Sequence, residues 1–405
     1  MNRADTGAKP AVLIVAPQPF YEDRGTPIAT RQVATALATL GYDVDLLVYP
    51  VGAEQAIDGV RIVRSPNLFG VRSVPIGFSL RKLGLDLGMI GCVWQLLRSR
   101  RYAAVHAIEE MAFVAAALRR RGGAVVYDMQ SSLPDQLRTH AVFRPRLVQR
   151  LLRGLEGWLI RNVDAIVCSA GLKDHVQSQD SGADVTELMY LSAMAPPDTA
   201  RTAQLRAEHG IAGPARVVMY SGTFEPYQGL DHLVDAMPAV LAAHADVVFV
   251  LVGATQDSGL ADDARVRGLV DQGRLRILPR QDRHTIPSFL AMADVLVSPR
   301  SYGDNVPLKI FDYMAAGKPI VATDIKAHRA VLDRDCAVLV EVSGPSLTDG
   351  IQRVLADAGL AESLAERALL RSGRGAGGEP FDRLVASVYE RVCGGVLPVA
   401  RFLPG

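Results

Sequence analysis

The chain has 405 residues, of which 49% are hydrophobic and 21% are charged, a balance that excludes a disordered chain. Its 44 basic and 43 acidic residues give a formal net charge of +1, which argues against nucleic acid as the main partner. The length exceeds one ordinary core, so we expect two domains of roughly 150–200 residues each.

The sequence predicts no membrane span, which needs about 18 or more consecutive apolar residues. The most apolar candidate, Leu83 to Leu97, is too short and carries Asp86. The N-terminus has one short apolar run at 11–16 and lacks a signal-peptide pattern. The four cysteines are scattered, with no CxxC pair: Cys92, Cys168, Cys336 and Cys393. We therefore expect a cytoplasmic protein with reduced cysteines.

Short β-branched runs alternate with helical patterns along the chain. We predict strands in the first half at 11–16, 44–49, 60–64, 124–128 and 165–169. In the second half we predict strands at 216–222, 247–253, 274–278, 295–299 and 319–324. Continuous apolar strands separated by amphipathic helices indicate parallel sheets covered on both faces. The fold class is therefore α/β, with two doubly wound Rossmann-like domains, 1–197 and 198–378, that face a cleft.

The tail is glycine-rich and then helical. Gly373, Gly375 and Gly378 form a GxGxxG pattern, but no strand precedes them and Pro380 follows, which argues against a dinucleotide loop. We predict a linker that leads to a terminal helix at 381–393, within a C-terminal segment 379–405.

The segment 298–324 has the pattern of a ligand-binding loop and helix. It begins where a predicted strand ends, the edge at which parallel α/β sheets bind ligands. Pro307 fits the first helical residue, and the helix should run to Ala316 with Gly317 as its stop. The free amides of Leu308 and Lys309, with the lysine side chain, would suit a diphosphate.

Two carboxylates flank this helix start, Asp304 in the loop and Asp312 eight residues later. A carboxylate can accept hydrogen bonds from two neighbouring hydroxyl groups, so acids beside a phosphate site suit a hydroxyl-rich ligand. The segment therefore indicates a nucleoside diphosphate that carries a sugar.

The pattern Asp304-x7-Asp312, followed by YMAAGKPIVATD, resembles the Glu-x7-Glu signature of the family 4 retaining glycosyltransferases. Those enzymes have the two-domain GT-B fold, whose C-terminal helix crosses back to the N-terminal domain. The resemblance implies that Asp312 binds the nucleotide ribose and that Asp304 lies near the donor sugar hydroxyls. Asn305 and Leu308 are further donor-binding candidates.

The stretch 216–237 resembles the first strand, loop and helix of the family's C-terminal domain. That loop usually holds the diphosphate with an Arg and a Lys, whereas this chain has Thr223 and Gln228. We expect Lys309 and Arg300 to replace the two missing charges. Glu225 would contact the donor or the acceptor. The donor-binding candidates from this part of the chain are Gly222, Thr223, Glu225, Gln228 and Arg300.

The stretch 15–47 resembles the family's N-terminal strand, glycine loop and first helix. The family places that loop against the donor phosphates and the acceptor. Gly25 permits close backbone approach, Thr26 can cap the helix and Pro27 can begin it. We take Gly25 and Thr26 as donor-binding candidates and Arg24 as an acceptor-side candidate.

Two further strand ends, in 104–113 and 125–137, resemble segments that line the family's cleft. His106 either packs in the core or lies on the acceptor side. Gln130 stands where many relatives carry a His near the transferred sugar. A Gln can hydrogen-bond a sugar hydroxyl but cannot carry a proton. Arg280 and His284, in another loop, are expected to pack or to be solvated.

The resemblance implies transfer of a glycosyl unit from a nucleotide-sugar with retention at the anomeric carbon. Lys309 and the helix N-terminus would stabilise the departing diphosphate, and a donor phosphate oxygen would take the acceptor proton. Asp304 and Asp312 would position the donor. The catalytic candidates are Asp304, Lys309 and Gln130. We expect no metal and no cofactor beyond the nucleotide-sugar co-substrate.

Three questions stay open at this point. A nucleotide-sugar epimerase and a non-catalytic nucleotide-sugar scaffold are alternatives on the same fold. The base, the sugar and the acceptor (a glycan, a lipid-linked molecule or a natural product) are undetermined. The stretch 143–161 interleaves arginines with apolar residues at helical spacing; it is either a surface helix with one buried face or a peripheral contact with anionic lipid.

Overall fold

The computed structural model describes residues 9–22, 25–68, 70–72, 74, 80–138, 143–169, 171–188, 192, 194–254, 259–260, 263–303, 306–374 and 381–394. The chain divides into two compact units. One unit contains residues 1–190 with 379–405, and the other contains residues 191–378. The division lies before residue 197, where the sequence analysis placed the end of the first domain.

The first unit contains a seven-stranded parallel sheet in the order β3-β2-β1-β4-β5-β6-β7. The strands are β1 Ala11–Ala16, β2 Asp43–Val48, β3 Val60–Arg64, β4 Ala104–Ile108, β5 Ala124–Met129, β6 Ala165–Cys168 and β7 Val185–Glu187. The helices are α1 Gly25–Thr39, α2 Leu80–Ser99, α3 Met111–Ala117, α4 Arg119–Gly122, α5 Leu133–Arg138, α6 Arg146–Ile160 and α7 Lys173–Gln179. Every residue of β1 and β4 is buried, as in a sheet covered on both faces.

The second unit contains a six-stranded parallel sheet in the order β10-β9-β8-β11-β12-β13. The strands are β8 Arg216–Ser221, β9 Val247–Ala254, β10 Leu275–Pro279, β11 Val295–Ser298, β12 Ile320–Thr323 and β13 Val338–Val340. The helices are α8 Thr199–Glu208, α9 Leu230–Ala243, α10 Ala264–Asp271, α11 Ile286–Ala291, α12 Leu308–Ala315, α13 Lys326–Arg329, α14 Gly344–Ala356 and α15 Ala358–Leu369. A short 3-10 turn, Pro226–Gln228, precedes α9.

The predicted α/β class with two doubly wound parallel sheets is confirmed. The ten predicted strands form within a few residues of their expected bounds. From the sequence, β4 was recognised only as a strand end, and β7 and β13, each of three residues, were not predicted. Such short strands carry too few residues to show a pattern.

One core cluster of the first unit packs the inner sides of α2, α3 and α6 against a single face of the sheet. Its strand members alternate along the chain, as in Leu13 and Val15 of β1, because neighbouring strand residues point to opposite faces. These three helices therefore lie on the same side of the sheet.

The chain ends, within the described residues, in α16 Phe381–Val392, the terminal helix that the sequence predicted. This helix belongs to the first unit and packs against α1. The buried Tyr389 hydroxyl lies 3.0 Å from His106 Nδ1, and Arg391 donates to both carboxylate oxygens of Asp184 at 2.9 Å. Of the rejected glycine pattern, Gly373 lies in a π-helical turn, Leu370–Arg374; Gly375 and Gly378 lie outside the described residues.

Candidate functional site

The candidate site of the second unit lies at the carboxyl ends of β8 and β11. These strands are neighbours, although β8 is followed in sequence by β9 on its other side. The strand order therefore reverses between β8 and β11, and ligands bind at such a switch point in open α/β sheets. The loop 222–229 follows β8, and the loop that leads to α12 follows β11.

Lys309 places its ammonium group against neutral oxygen atoms of the β8 end. Its Nζ donates to Gln228 Oε1 at 2.7 Å and to Tyr220 Oη at 3.0 Å, and it lies 4.1 Å from the centroid of the Tyr220 ring. Burial, with a smaller effect of the Arg300 guanidinium, holds the pKa of Lys309 well below its ordinary value. An anion bound beside this ammonium group would therefore stabilise its charged form.

Gly222 keeps the space beside this ammonium group open. Its φ is +156°, and a Cβ built there would lie 2.9 Å from Lys309 Nζ and 2.9 Å from Tyr220 Oη. The Tyr220 hydroxyl in turn donates to the carbonyl oxygen of Thr223 at 2.6 Å. Glycine is therefore needed where the chain leaves β8.

The rest of the loop after β8 divides into an exposed and a buried part. Thr223 and Glu225 are exposed, whereas Gln228 is buried. Gly229 follows in the left-handed conformation (φ +67°), and a Cβ there would meet the Pro299 carbonyl oxygen at 2.1 Å. The loops that follow β8 and β11 therefore approach each other at Gly229 more closely than any side chain allows.

Arg300, directly after β11, is buried, with 5% of its surface exposed. Its Nε donates to the Tyr302 carbonyl oxygen at 2.9 Å, and its guanidinium lies 5.3 Å from the Tyr227 ring centroid. Its position directly after β11 puts it on the loop that leads to α12 and Lys309. The Arg300 guanidinium also contributes to the lowered pKa of Lys309.

His328 holds the ends of β11 and β12 together below this loop. Its Nδ1 lies 2.7 Å from the Thr323 carbonyl oxygen, and its Nε2 lies 3.0 Å from Ser298 Oγ. A carbonyl oxygen only accepts, so Nδ1 carries the proton and Nε2 accepts from Ser298. Burial lowers the pKa of His328 to about 4, so the imidazole is neutral at physiological pH.

The α12 helix starts and ends within one residue of its predicted bounds. Pro307 is the residue before the helix (φ −72°, ψ 131°), Leu308 is its first residue and Ala315 its last. The sequence predicts Pro307 as the first helical residue and Ala316 as the last, so each bound differs by one residue. Gly317 follows with φ +62°, the left-handed stop that glycine provides. The first-turn amides, including those of Leu308 and Lys309, lack intrahelical partners.

Asp312 forms contacts that the sequence did not reveal. It is 5% exposed and accepts two hydrogen bonds of 3.1 Å from the Arg283 guanidinium, one on each carboxylate oxygen. Ser192 Oγ donates to Oδ1 at 2.8 Å. Arg283 lies in the same loop as Arg280 and His284, which the sequence analysis had singled out instead. The only signal for Arg283 was its position just beyond a strand end.

In the first unit, Gly25 begins α1, which corrects one expectation. Thr26 is the second helical residue and not the cap, and Pro27 is buried as the third. The Thr26 carbonyl oxygen accepts from Thr30 Oγ1 at 2.9 Å, and Thr30 Oγ1 accepts from Gln18 Nε2 at 2.7 Å. These bonds fix the loop–helix junction from the inside.

His106 and Gln130 meet at one buried carboxylate, Asp128. His106 is 1% exposed and lies between Tyr389 and Asp128, with its Nε2 3.2 Å from Asp128 Oδ2. The Gln130 amide donates to the other oxygen, Oδ1. The contacts of His106 are those of a packed histidine, the alternative left open from sequence, and its acceptor-side role stays a prediction.

Glu109, which the sequence analysis missed, stands at the carboxyl end of β4. It has φ +52°, unusual for a residue other than glycine, and its Oε1 accepts from Ser131 Oγ at 3.1 Å. Burial first, and then the nearby Glu110 carboxylate, raise the pKa of Glu109 to about 8. Its position just after a strand was the signal that could have found it.

Arg24, Asp304 and Asn305 lie outside the described residues, so their assignments stay predictions. In the part of the chain that the structure describes, no three His, Cys, Asp or Glu side chains are grouped to hold a metal ion. Within the same part, no helix is both long and apolar enough to span a membrane.

Known families match both halves of the chain. Residues 24–189 match the family described as Glycosyl transferase 4-like domain, and residues 215–357 match Glycosyl transferases group 1. Over 210 residues the chain is 31% identical to phosphatidyl-myo-inositol mannosyltransferase of Mycolicibacterium smegmatis, covering 50% of this chain and 52% of that protein. Over 274 residues it is 27% identical to D-inositol 3-phosphate glycosyltransferase of Segniliparus rotundus, covering 64% and 59%. The chain thus spans about half the length of the curated relatives it matches.

Solved structures resemble the whole chain. Sucrose-phosphate synthase of Thermosynechococcus elongatus has a TM-score of 0.76 at 19% identity, covering 96% of this chain and 100% of that one. The Anabaena protein HepE, in complex with UDP and glucose, has a TM-score of 0.67 at 16% identity, covering 94% and 98%. With its two parallel sheets, the chain has the GT-B class of fold. Because both halves also match, the chain belongs to family 4 of the glycosyltransferases, as its motifs predicted.

Proposed function

We propose that the chain transfers a sugar, with retention, from a nucleoside-diphosphate-sugar to an acceptor that is a glycan, a lipid-linked molecule or a natural product. The observation that carries the proposal is the 2.7 Å contact between Lys309 Nζ and Gln228 Oε1. This contact supports a role for the Lys309 ammonium group as the counterpart of the lysine in the family's phosphate loop.

The phosphate loop of this chain differs from the family motif in its charged residues. The loop after the first strand of the second domain usually supplies a lysine where this chain has Gln228. The Lys309 ammonium reaches the Gln228 side chain from α12, so the charge is supplied by another element. The non-catalytic scaffold is supported by the missing loop charges and by Gln130 in place of the family's His, and this contact weakens the first of these two grounds.

The described residues suit a departing diphosphate. The α12 amides, Lys309 and Arg300 offer donors and positive charge at one switch point, where negative charge would develop as the sugar–phosphate bond breaks. Such preorganised donors act without a metal ion. The acceptor proton would pass to a donor phosphate oxygen, since retention here uses no enzymatic nucleophile. Asp304 and Asp312 position the donor, and Gln130 contacts the transferred sugar.

The names of the relatives support the substrate classes. The mannosyltransferase is named for a phosphatidyl-inositol acceptor, and HepE was solved with UDP and with UDP-glucose. For this chain we propose a nucleotide-sugar donor without specifying its base. The proposal includes peripheral contact of residues 143–161 with a membrane, which would suit a lipid-linked acceptor.

The test is the thermal stabilisation of the purified protein by UDP, GDP and ADP. A ligand that binds only the folded state raises Tm, by an amount equivalent to about 2.7 kcal/mol at a hundred times Kd. We expect one nucleotide to raise Tm in the wild type and in the control Lys9→Met, whose side chain is exposed, but not in Lys309→Met. No shift with any of them at millimolar concentration contradicts the proposal.

Turnover separates the alternatives once a donor is found. A transferase releases the nucleoside diphosphate faster when acceptor is added. An epimerase converts the donor without acceptor and without releasing the nucleotide. Binding with neither result would identify a scaffold.

A further inference from the structure

Both tryptophans of the chain are exposed, and they lie on the same side of the first unit. Trp94 of α2 is 45% exposed and Trp158 of α6 is 43% exposed. Both helices cover the same face of the sheet, because their inner sides share one core cluster. Exposed tryptophan is characteristic of surfaces that are apolar at one end and wet at the other.

The outward side of α6 is an apolar stripe bordered by arginines. Leu147 is 78% exposed and Leu151 63%, and Leu155 and Trp158 continue the stripe at helical spacing. The arginines that border it are exposed: Arg146, Arg150 and Arg153. A helix that packs on a core with one side normally turns polar residues to water with the other.

The single acid of α6 is turned away from this stripe. Glu156 is buried and accepts from the Leu133 amide at 2.7 Å and from Gln179 Nε2 at 2.6 Å, with His175 Nε2 also 2.7 Å away. The exposed side of α6 is therefore apolar and cationic, with no negative charge of its own.

The α2 helix repeats this arrangement. Leu83, Leu87 and Trp94 are exposed along its outward side. Its only acid, Asp86, hydrogen-bonds the Tyr49 hydroxyl, and burial raises the pKa of Asp86 to about 6. Of the eleven large apolar side chains exposed among the described residues, seven lie on α2 and α6.

A depression lined by arginines lies next to the outward side of α2, at the C-terminal end of this helix. It has a volume of about 640 Å³, and the Arg98 guanidinium lies 4.4 Å from the centroid of the Trp94 ring. Arg100 is paired with Asp43 and Asp45. Among the residues that the structure describes, no acidic side chain lines the depression. Its arginines are Arg98, Arg100, Arg101, Arg120 and Arg121.

We propose that the outward sides of α2 and α6, together with this depression, form one surface that binds an anionic lipid bilayer. The leucines and both tryptophans enter the interfacial layer, and the arginines hold lipid phosphates. Charge complementarity favours this occupant, since the surface is cationic and the acids of both helices face inward. The proposal extends the membrane contact proposed above for residues 143–161 to α2 and the depression, and vesicle binding is measured without glycosyl transfer, so the two proposals can fail separately.

Tryptophan fluorescence tests the surface directly, because both tryptophans lie on it. We expect phosphatidylcholine vesicles that contain phosphatidylglycerol to shift the emission to the blue and to sediment the protein. Phosphatidylcholine alone should do neither, and high salt should weaken binding. Replacing three depression arginines in Arg101→Gln/Arg120→Gln/Arg121→Gln should weaken vesicle binding on the order of 100-fold.

The apolar side chains of this surface are tested with separate variants, each with a matched control. Leu147→Glu/Leu151→Glu, at two well-exposed positions, should abolish both the shift and the sedimentation. Val270→Glu and Arg353→Gln make the same kinds of change on exposed sites of the second unit and should bind like the wild type. Circular dichroism checks that each variant is folded.

Three results would overturn the proposal. The first is a wild type that binds no anionic vesicles, or binds them without a blue shift. The second is a loss of binding in the controls equal to that in the surface variants. The third is an oligomer, seen by analytical ultracentrifugation without lipid, that Leu147→Glu/Leu151→Glu dissociates; the surface would then join two copies of the chain.

Discussion

Exchanging the cation between α12 and the loop after β8 tests the phosphate site most sharply. Lys309→Met removes the ammonium group and keeps an unbranched side chain. Adding Gln228→Lys to that variant supplies an ammonium group from the loop instead. The two side chains touch, with Nζ 2.7 Å from Oε1, so the new cation can reach the place of the old one.

The size of the effect follows from the charge of the ligand. A hydrogen bond to a charged group contributes about 1.5–3 kcal/mol, so Lys309→Met should weaken binding of the diphosphate roughly 10- to 150-fold. The double variant should recover most of this loss. Gln228→Lys alone places two ammonium groups in contact, and their repulsion should lower Tm.

Isothermal titration calorimetry measures these affinities, using the nucleotide that stabilises the wild type. Because the pKa of Lys309 is lowered in the free protein, an anion beside it should raise that pKa again. Binding should therefore take up protons at alkaline pH, so the measured enthalpy should vary with the ionisation enthalpy of the buffer. A folded Lys309→Met that binds like the wild type refutes the reasoning, as does a folded double variant that binds as weakly as Lys309→Met.

Three further outcomes are expected. The pKa of His328 is lowered to about 4, so between pH 6.5 and 4 only the unfolded chain binds a proton at this imidazole. The free energy of unfolding should therefore fall by about 3 kcal/mol as the pH drops through that window. Thermal melts of His328→Gln should lack this part of the fall. Gly253→Ala should lower Tm strongly, since its φ is +120° and its Cβ would meet a backbone oxygen at 2.1 Å, whereas Gly268→Ala, in a helix with nothing within 4 Å, should not lower it. Ser192→Ala should tighten nucleotide binding about 2- to 10-fold if a ribose hydroxyl takes the place of its hydroxyl on Asp312, and weaker binding by calorimetry would contradict this.

The sequence predicted what depends on local pattern. Apolar runs such as 11–16 and 247–253 are long enough to show a continuous strand, whereas the three residues of β13 are not. The bounds of α12 were predicted to within one residue, because Pro307 and Gly317 each restrict the backbone conformation at one end of the helix. The sequence also indicated that the segments of the candidate site begin at strand ends, whereas the reversal of strand order between β8 and β11 came only from the structure.

Contacts between distant residues could not be predicted in this way. Arg283 pairs with Asp312 across 29 positions, and only the fold brings their loop and helix together. The α6 pattern shows one broad apolar side but not which part of it is buried, because that side is wider than the part that packs on the core. Only packing decides that Leu152 and Leu159 are buried while Leu147 and Leu151 are not.

Under the proposed function, the contacts of Asp312 explain how an aspartate, which is shorter than the glutamate of the family motif, can bind a ribose. The Arg283 guanidinium engages both carboxylate oxygens, which fixes the carboxylate plane and keeps its charge compensated in a buried position. The Ser192 hydroxyl is a neutral donor on the same group, as a ribose hydroxyl would be. Donor entry then exchanges one hydroxyl for another and leaves the ion pair intact. Such an exchange leaves no charge unpaired, so it proceeds without the several kcal/mol that uncovering a buried carboxylate requires.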